Sequence, residues 1–215
     1  MLSLKPIELL PARERVASAL RKAIMSQDLK KDQEISIESI AEMLGVSATP
    51  VREAYQMLAQ EGLIKLRPNK GAIIIGMSEQ WVRDHYSVRA ALEAEAARLV
   101  AEKQANLSEI EKIVIRSGNM IEEGNFSSYA DLNQAFHVAI WKASGNQKLN
   151  SMASNLWNGL SMGYRVTVEE YARMSITEHI EIFHRMEKHD VLGSYELMHR
   201  HIYRSMDSML THIIK

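Results

Sequence analysis

The sequence predicts a mostly α-helical protein in two parts: three helices closed by a β-hairpin, then an all-helical bundle. Three observations predict it. Apolar residues recur every three or four positions through most of the chain, the period of an amphipathic helix. The β-rich runs Leu63-Ile64-Lys65-Leu66 and Ala72-Ile73-Ile74-Ile75 stand together, separated by a short stretch containing Pro68 and Gly71. The chemistry is also segregated: all eight histidines lie after Gly76, and residues 1–76 carry 11 Lys and Arg against 9 Asp and Glu, whereas the remainder carries 15 against 18. We therefore divide the 215 residues into domains 1–76 and 77–215, a small module and a medium one.

Each element follows from its residues. Between residues 12 and 25, Val16, Ala19, Leu20, Ala23 and Ile24 form one apolar face. Ser36 supplies an N-cap for a short helix bearing Ile37, Ile40, Ala41 and Leu44, and Gly45 stops it. A serine oxygen satisfies a free amide of the first turn, and glycine takes up left-handed geometry at the end without strain. Ser47-Ala48-Thr49-Pro50 then provides an N-cap and a first-turn proline, followed by Val51, Ala54, Tyr55, Leu58 and Ala59, up to Gly62. Two such helices joined by a tight glycine-containing turn make a helix-turn-helix. The hairpin after them, with Arg67-Pro68-Asn69-Lys70-Gly71 as its basic tip, reads as a wing.

From residue 79 onward helical periodicity recurs without a strand pattern. Breaks are expected near residues 104–108, 123–127, 144–146, 167–175 and 188–193, giving about six helices in a bundle. Ser108, with Glu111 three residues later, reads as a capping box.

Composition narrows the function classes. Hydrophobic residues at 46% and charged residues at 25% exclude a disordered or fibrous chain. There is no cysteine, so any metal must be held by histidine, carboxylate or amide, and a reducing cytoplasm is the expected location. Residues 1–10, interrupted by Pro6 and Glu8, do not read as a signal peptide. The longest apolar run falls far below the roughly 18 residues of a membrane-spanning helix, so no membrane association is expected.

The third helix has the character of a recognition helix. Ser47, Thr49 and Arg52 lie at its start, and Arg67 and Lys70 flank it from the wing, where cations hold phosphates while the helix enters the major groove. Arg52 has the planar fork that suits phosphate or guanine, and Thr49 offers a hydroxyl and a methyl. Taken alone, these charges read equally well as a solvated helix face. The stretch Gly45-Val46-Ser47-Ala48-Thr49-Pro50-Val51-Arg52-Glu53-Ala54, followed by Leu58, Glu61-Gly62-Leu63 and Lys70-Gly71, resembles the GntR family of bacterial regulators. The resemblance implies that Ser47, Thr49, Arg52, Lys70 and Gly71 lie at DNA-contact positions, and that a homodimer binds a palindromic double-stranded operator. Ala48 departs from the family, which usually has arginine there, and Glu38 stands where a basic residue often lies.

The histidines suggest a second site. Asn133 and His137, four residues apart, share one helix face, and His179 and His201 lie on later helices. Three neutral imidazoles and an amide oxygen converging in a bundle suit a divalent transition metal such as zinc, nickel or manganese, with positions open to water or an effector carboxylate. Singly, a histidine is more commonly a plain core or surface residue, and His85, His184, His189, His199 and His212 are read that way. The segments Asn133-Gln134-Ala135-Phe136-His137, Ser144-Gly145-Asn146, His179 with Ile182, Asp190 and Arg200-His201-Ile202 resemble the FCD effector domain of the FadR branch of GntR regulators, the whole resemblance covering residues 12–212. It implies that Asn133, His137, His179 and His201 bind the metal, with Asn133 in place of the family's aspartate. Val88-Arg89-Ala90-Ala91-Leu92-Glu93 matches the first helix of that domain, implying that Arg89 points into the effector cavity to meet a carboxylate. An ion pair with Glu93 is the equal alternative. Arg165 is a second effector-binding candidate of the same type.

The combined expectation is a ligand-responsive DNA-binding transcriptional regulator sensing a small organic acid, and not an enzyme. Two alternatives stand beside it: a metal-independent regulator with structural histidines, and a metal-dependent hydrolase or lyase carrying a DNA-binding domain. Against the last, there is no His-Glu-x-x-His motif and no serine nucleophile elbow, and Glu178, although adjacent to His179, is expected to point elsewhere on its helix.

Overall fold

Val16, Ala17, Leu20 and Ile24 are buried along one side of α1 (Ala12–Met25), whereas Ala19, which the apolar spacing put on that face, is exposed. A computed structural model describes residues 11–68, 70–157 and 168–213, and its contacts divide the chain between Ser78 and Glu79 into two units.

In the first unit α1 is followed by β1 (Glu34–Ile35), α2 (Ile37–Leu44), α3 (Ala48–Gln60), β2 (Ile64–Arg67) and β3 (Gly71–Ile74). The Ser36 hydroxyl accepts from the Ser39 amide at 3.0 Å, and Gly45 closes α2 in the left-handed conformation. Val51, Ala54, Tyr55 and Leu58 turn the buried face of α3 toward α1, α2 and β2. Arg21, only 3% exposed, is held by Glu61 at the end of α3 through two bonds of 2.6 and 2.5 Å. The sheet is antiparallel in the order β1-β3-β2, with Ile35 opposite Ala72 and Ile64 opposite Ile74. The two-residue strand β1 was not expected from the sequence; it is too short to show alternation. Its approach explains Gly71: with φ at +90°, a Cβ there would run into the carbonyl oxygen of Ile35.

The second unit consists, among the described residues, of α4 (Glu79–Glu102), α5 (Ser108–Glu123), α6 (Tyr129–Ala143), α7 (Gln147–Trp157), α8 (Val168–Glu187) and α9 (Val191–Ile213). The long α4 runs through the middle, packing against α6, α7, α8 and most extensively α9. Its buried face is built largely of alanines, Ala90, Ala94, Ala97 and Ala101, whose small size permits close helix approach. Two expectations are corrected. The break placed at residues 167–175 is not seen over 168–175, where α8 is helical from Val168 onward and buries Ser175; residue 167 lies outside the described residues. Ser108 is the first helical residue and not the cap; the Asn106 side chain accepts from the Ser108 amide at 2.9 Å instead. Among the described residues no helix is long and apolar enough to cross a membrane.

Candidate functional site

Two groups of predicted residues occupy different physical settings. At the start of α3, Ser47 takes the N-cap position without a side-chain cap bond, which leaves its hydroxyl unspent on its own helix. Ser47, Thr49 and Arg52 are exposed, as is Lys70. A groove of about 750 Å³ between α2, α3 and the hairpin is lined by Glu38, Arg52, Gln56, Arg67, Lys70 and Gly71 among others. Arg67 is paired with Glu34 on β1, so a carboxylate already engages one of the wing cations.

The second group lies in the core of the helical unit. His137 on α6, His179 on α8 and His201 on α9 are each at most 2% exposed, and they offer ligand atoms that all lie within 4.8 Å of one another. The Nε2 atoms of His179 and His201 are 3.3 Å apart. Phe136 stacks on His179 with ring centroids 4.0 Å apart, holding that imidazole in place. Asn133, one turn before His137, is also buried, and its Oδ1 has no hydrogen-bond partner; neither does His137 Nε2. Buried polar atoms are rarely left unmatched, so this donor set fits a cation.

The outward nitrogens of two of these histidines are occupied. His137 Nδ1 donates to Glu93, and His201 Nδ1 donates to Glu178 at 2.5 Å. This fixes the tautomers and directs both Nε2 lone pairs inward, the arrangement that commonly orients metal-ligating imidazoles. Each carboxylate is met by an arginine: Arg89 Nε lies 2.5 Å from Glu93, and Arg204 Nη2 lies 2.6 Å from Glu178. Trp141 Nε1 also donates to Glu93 at 3.2 Å. Burial pushes His179 well below the ordinary imidazole value, reinforced by His201 and His137. Burial also lowers His201 to about 4 against the pull of Glu178, and lowers His137 against that of Glu93. Glu93 is held at about 2, since Arg89 and His137 outweigh the burial that opposes its ionisation. Neutral imidazoles beside ionised carboxylates are the protonation states a metal site requires.

Arg89 makes the ion pair with Glu93 that the sequence offered as one of its two readings. Its Nη1 is buried and unpartnered, and its guanidinium stacks 4.3 Å from the ring centroid of Trp157. Arg165 lies outside the described residues.

Comparisons with known proteins identify the family. The pattern of the gntR family of bacterial regulatory proteins matches residues 12–74, and that of the FCD domain matches residues 84–204, over half of the chain. The chain belongs to the GntR family and carries an FCD domain. It is similar to the gluconate operon transcriptional repressor of Bacillus subtilis (strain 168), with 30% identity over 190 residues, 85% of this chain and 72% of that protein. It is similar also to the regulator McbR of Escherichia coli (strain K12), with 25% identity over 172 residues, 79% of this chain and 78% of that protein. The solved structure of E. coli McbR/YncC shares the fold, with a TM-score of 0.72 at 20% identity, covering 94% of this chain and 99% of that one. The relatives are transcriptional regulators and not enzymes, and this GntR chain is a bacterial DNA-binding transcriptional regulator with an FCD effector domain.

Sequence reasoning overlooked Glu93 as a partner of His137 and misjudged Glu178, which faces His201 across helices. Both pairings span long sequence separations, 44 and 23 residues. The available signal was an acidic residue on the helix face that carries Arg89, and another beside His179.

Proposed function

We propose that this GntR regulator binds a palindromic operator as a homodimer and senses a small carboxylate at a divalent transition metal in its helical domain. Residues 1–76 are the DNA-binding domain, and residues 77–215 bind effector and dimerise. Ser47, Thr49, Arg52, Arg67 and Lys70 form the DNA surface, with Gly71 giving the wing its backbone path. His137, His179 and His201, with Asn133, hold the ion, and Arg89 receives the effector carboxylate. The protein acts in the cytoplasm, beside the chromosome it reads.

One observation carries the sensing half: three buried imidazoles converge with ligand atoms within 4.8 Å, two of them oriented by carboxylates on their far nitrogens. Zinc, nickel or manganese bound there supplies a Lewis acid for anionic oxygen. Glu93 and Glu178 keep the histidines in the ligating tautomer, and the surrounding aromatic rings exclude water. Coupling between effector and operator sites is typically worth about 1–3 kcal/mol.

A second reading, a metal-independent regulator with structural histidines, is favoured by the 3.3 Å contact between His179 Nε2 and His201 Nε2, in which His179 donates to the inward lone pair of His201. Elemental analysis of protein purified without a histidine tag separates the two. Near-stoichiometric metal, lost in His179→Ala, is expected; no metal after incubation with zinc, nickel and manganese overturns the metal reading in favour of the second.

A further inference from the structure

We infer that the histidine site takes up its metal together with a dicarboxylate, because among the described residues the side chains bonded to the cluster supply no net negative charge to balance a divalent ion. The inference rests on the metal site proposed above.

The argument is an inventory of charge. Glu93 is matched by Arg89 at 2.5 Å and Glu178 by Arg204 at 2.6 Å, so each carboxylate beside the cluster already has its own guanidinium. Among the described residues, Glu93 and Glu178 are the carboxylates bonded to the cluster, each to one histidine and one arginine. Ligating imidazoles are neutral, and the fourth donor, Asn133, is an amide. The sum before metal binding is zero, and after it +2, inside a cluster of which no histidine is more than 2% exposed. An uncompensated buried charge is strongly unfavourable. A dicarboxylate brings both compensating charges in one molecule, whereas a monocarboxylate brings one.

The site also holds a fitting donor for a second carboxylate. Arg89 Nη1 is buried and unpartnered, on a guanidinium already fixed by Glu93 and by the face of Trp157. Trp157 lies in turn 4.7 Å from the His137 ring, so one indole touches both this donor and the cluster. One carboxylate of the ligand meets the ion and the other meets Arg89. Asn133 makes the requirement specific to this chain, since an aspartate in its place would halve the missing charge.

Metal and dicarboxylate then bind with positive, reciprocal coupling. The test is calorimetric titration of metal-free full-length protein with manganese at constant ionic strength, alone and with malonate, succinate, glutarate, propionate, butyrate or valerate. We expect at least one dicarboxylate to tighten manganese binding by about 5–150-fold, the usual range of such coupling, and the monocarboxylate of equal length to do much less. In Asn133→Asp, manganese alone should bind more tightly, and the dicarboxylate effect should shrink. Manganese binding that is equally tight with and without every dicarboxylate, or equally enhanced by monocarboxylates, overturns the inference while leaving the metal site standing. Failure to bind zinc, nickel or manganese under any of these conditions overturns the site and the inference together. The wild-type titrations decide the matter should Asn133→Asp not fold.

Discussion

At the start of α3, Ser47, Thr49 and Arg52 stand in water, each on a few residues of its own helix. In the helical domain His137, His179, Glu93 and Arg89 are sealed from water, and each is positioned by a residue from another helix or another turn. The first arrangement leaves side chains free to meet a partner that brings its own charge. The second commits them to one another, so that removing one group strands the rest. An exposed contact is lost singly, whereas a buried network fails as a unit.

Substitutions that break this contrast should differ in size accordingly. The largest effect is expected for Glu93→Ala, which leaves Arg89 without its carboxylate in the core. The transition of the helical domain in chemical denaturation should lose about 3–5 kcal/mol; an unchanged transition would show that Arg89 is not committed to Glu93. Gly71→Ala should cost the N-terminal domain about 1–3 kcal/mol of backbone strain, visible as faster amide exchange at β1 and β3. Protection equal to wild type would mean that the hairpin moves away from Ile35 without penalty. Arg52→Ala should leave the fold alone and weaken operator binding by about 1–3 kcal/mol, with a shallower salt dependence; fluorescence anisotropy at several salt concentrations reads both. The smallest effect is expected for Glu34→Gln. Releasing Arg67 from its partner should tighten operator binding by less than about 1 kcal/mol, and weaker binding would assign Glu34 a supporting role instead.

The same contrast explains what the sequence revealed. The helices and wing of the N-terminal domain were legible because caps, glycines and apolar spacing act within a few residues, as Ser36 and Gly45 do for α2. β1 was not, because two residues opposite β3 carry no period of their own. Ser108 and Ser175 misled for a related reason: a hydroxyl residue is compatible with both a helix end and a helix interior, and only the backbone decides between them. The histidines were legible as candidate ligands through a family resemblance, and their convergence follows from the packing of α6, α8 and α9. The carboxylates behind them were illegible, because the pairing of Glu93 with His137 and of Glu178 with His201 depends on how whole helices register against one another.

Trp157 and Trp141 bring an optical consequence. Of the three tryptophans in the chain, these two are buried against the site, one beneath the Arg89 guanidinium and beside His137, the other hydrogen-bonded to Glu93. Indole emission responds to nearby charge and to the stiffness of its surroundings. The surroundings of the histidines are thus a built-in fluorophore, and occupation of the site should change the colour and brightness of the protein's own ultraviolet glow without any added label.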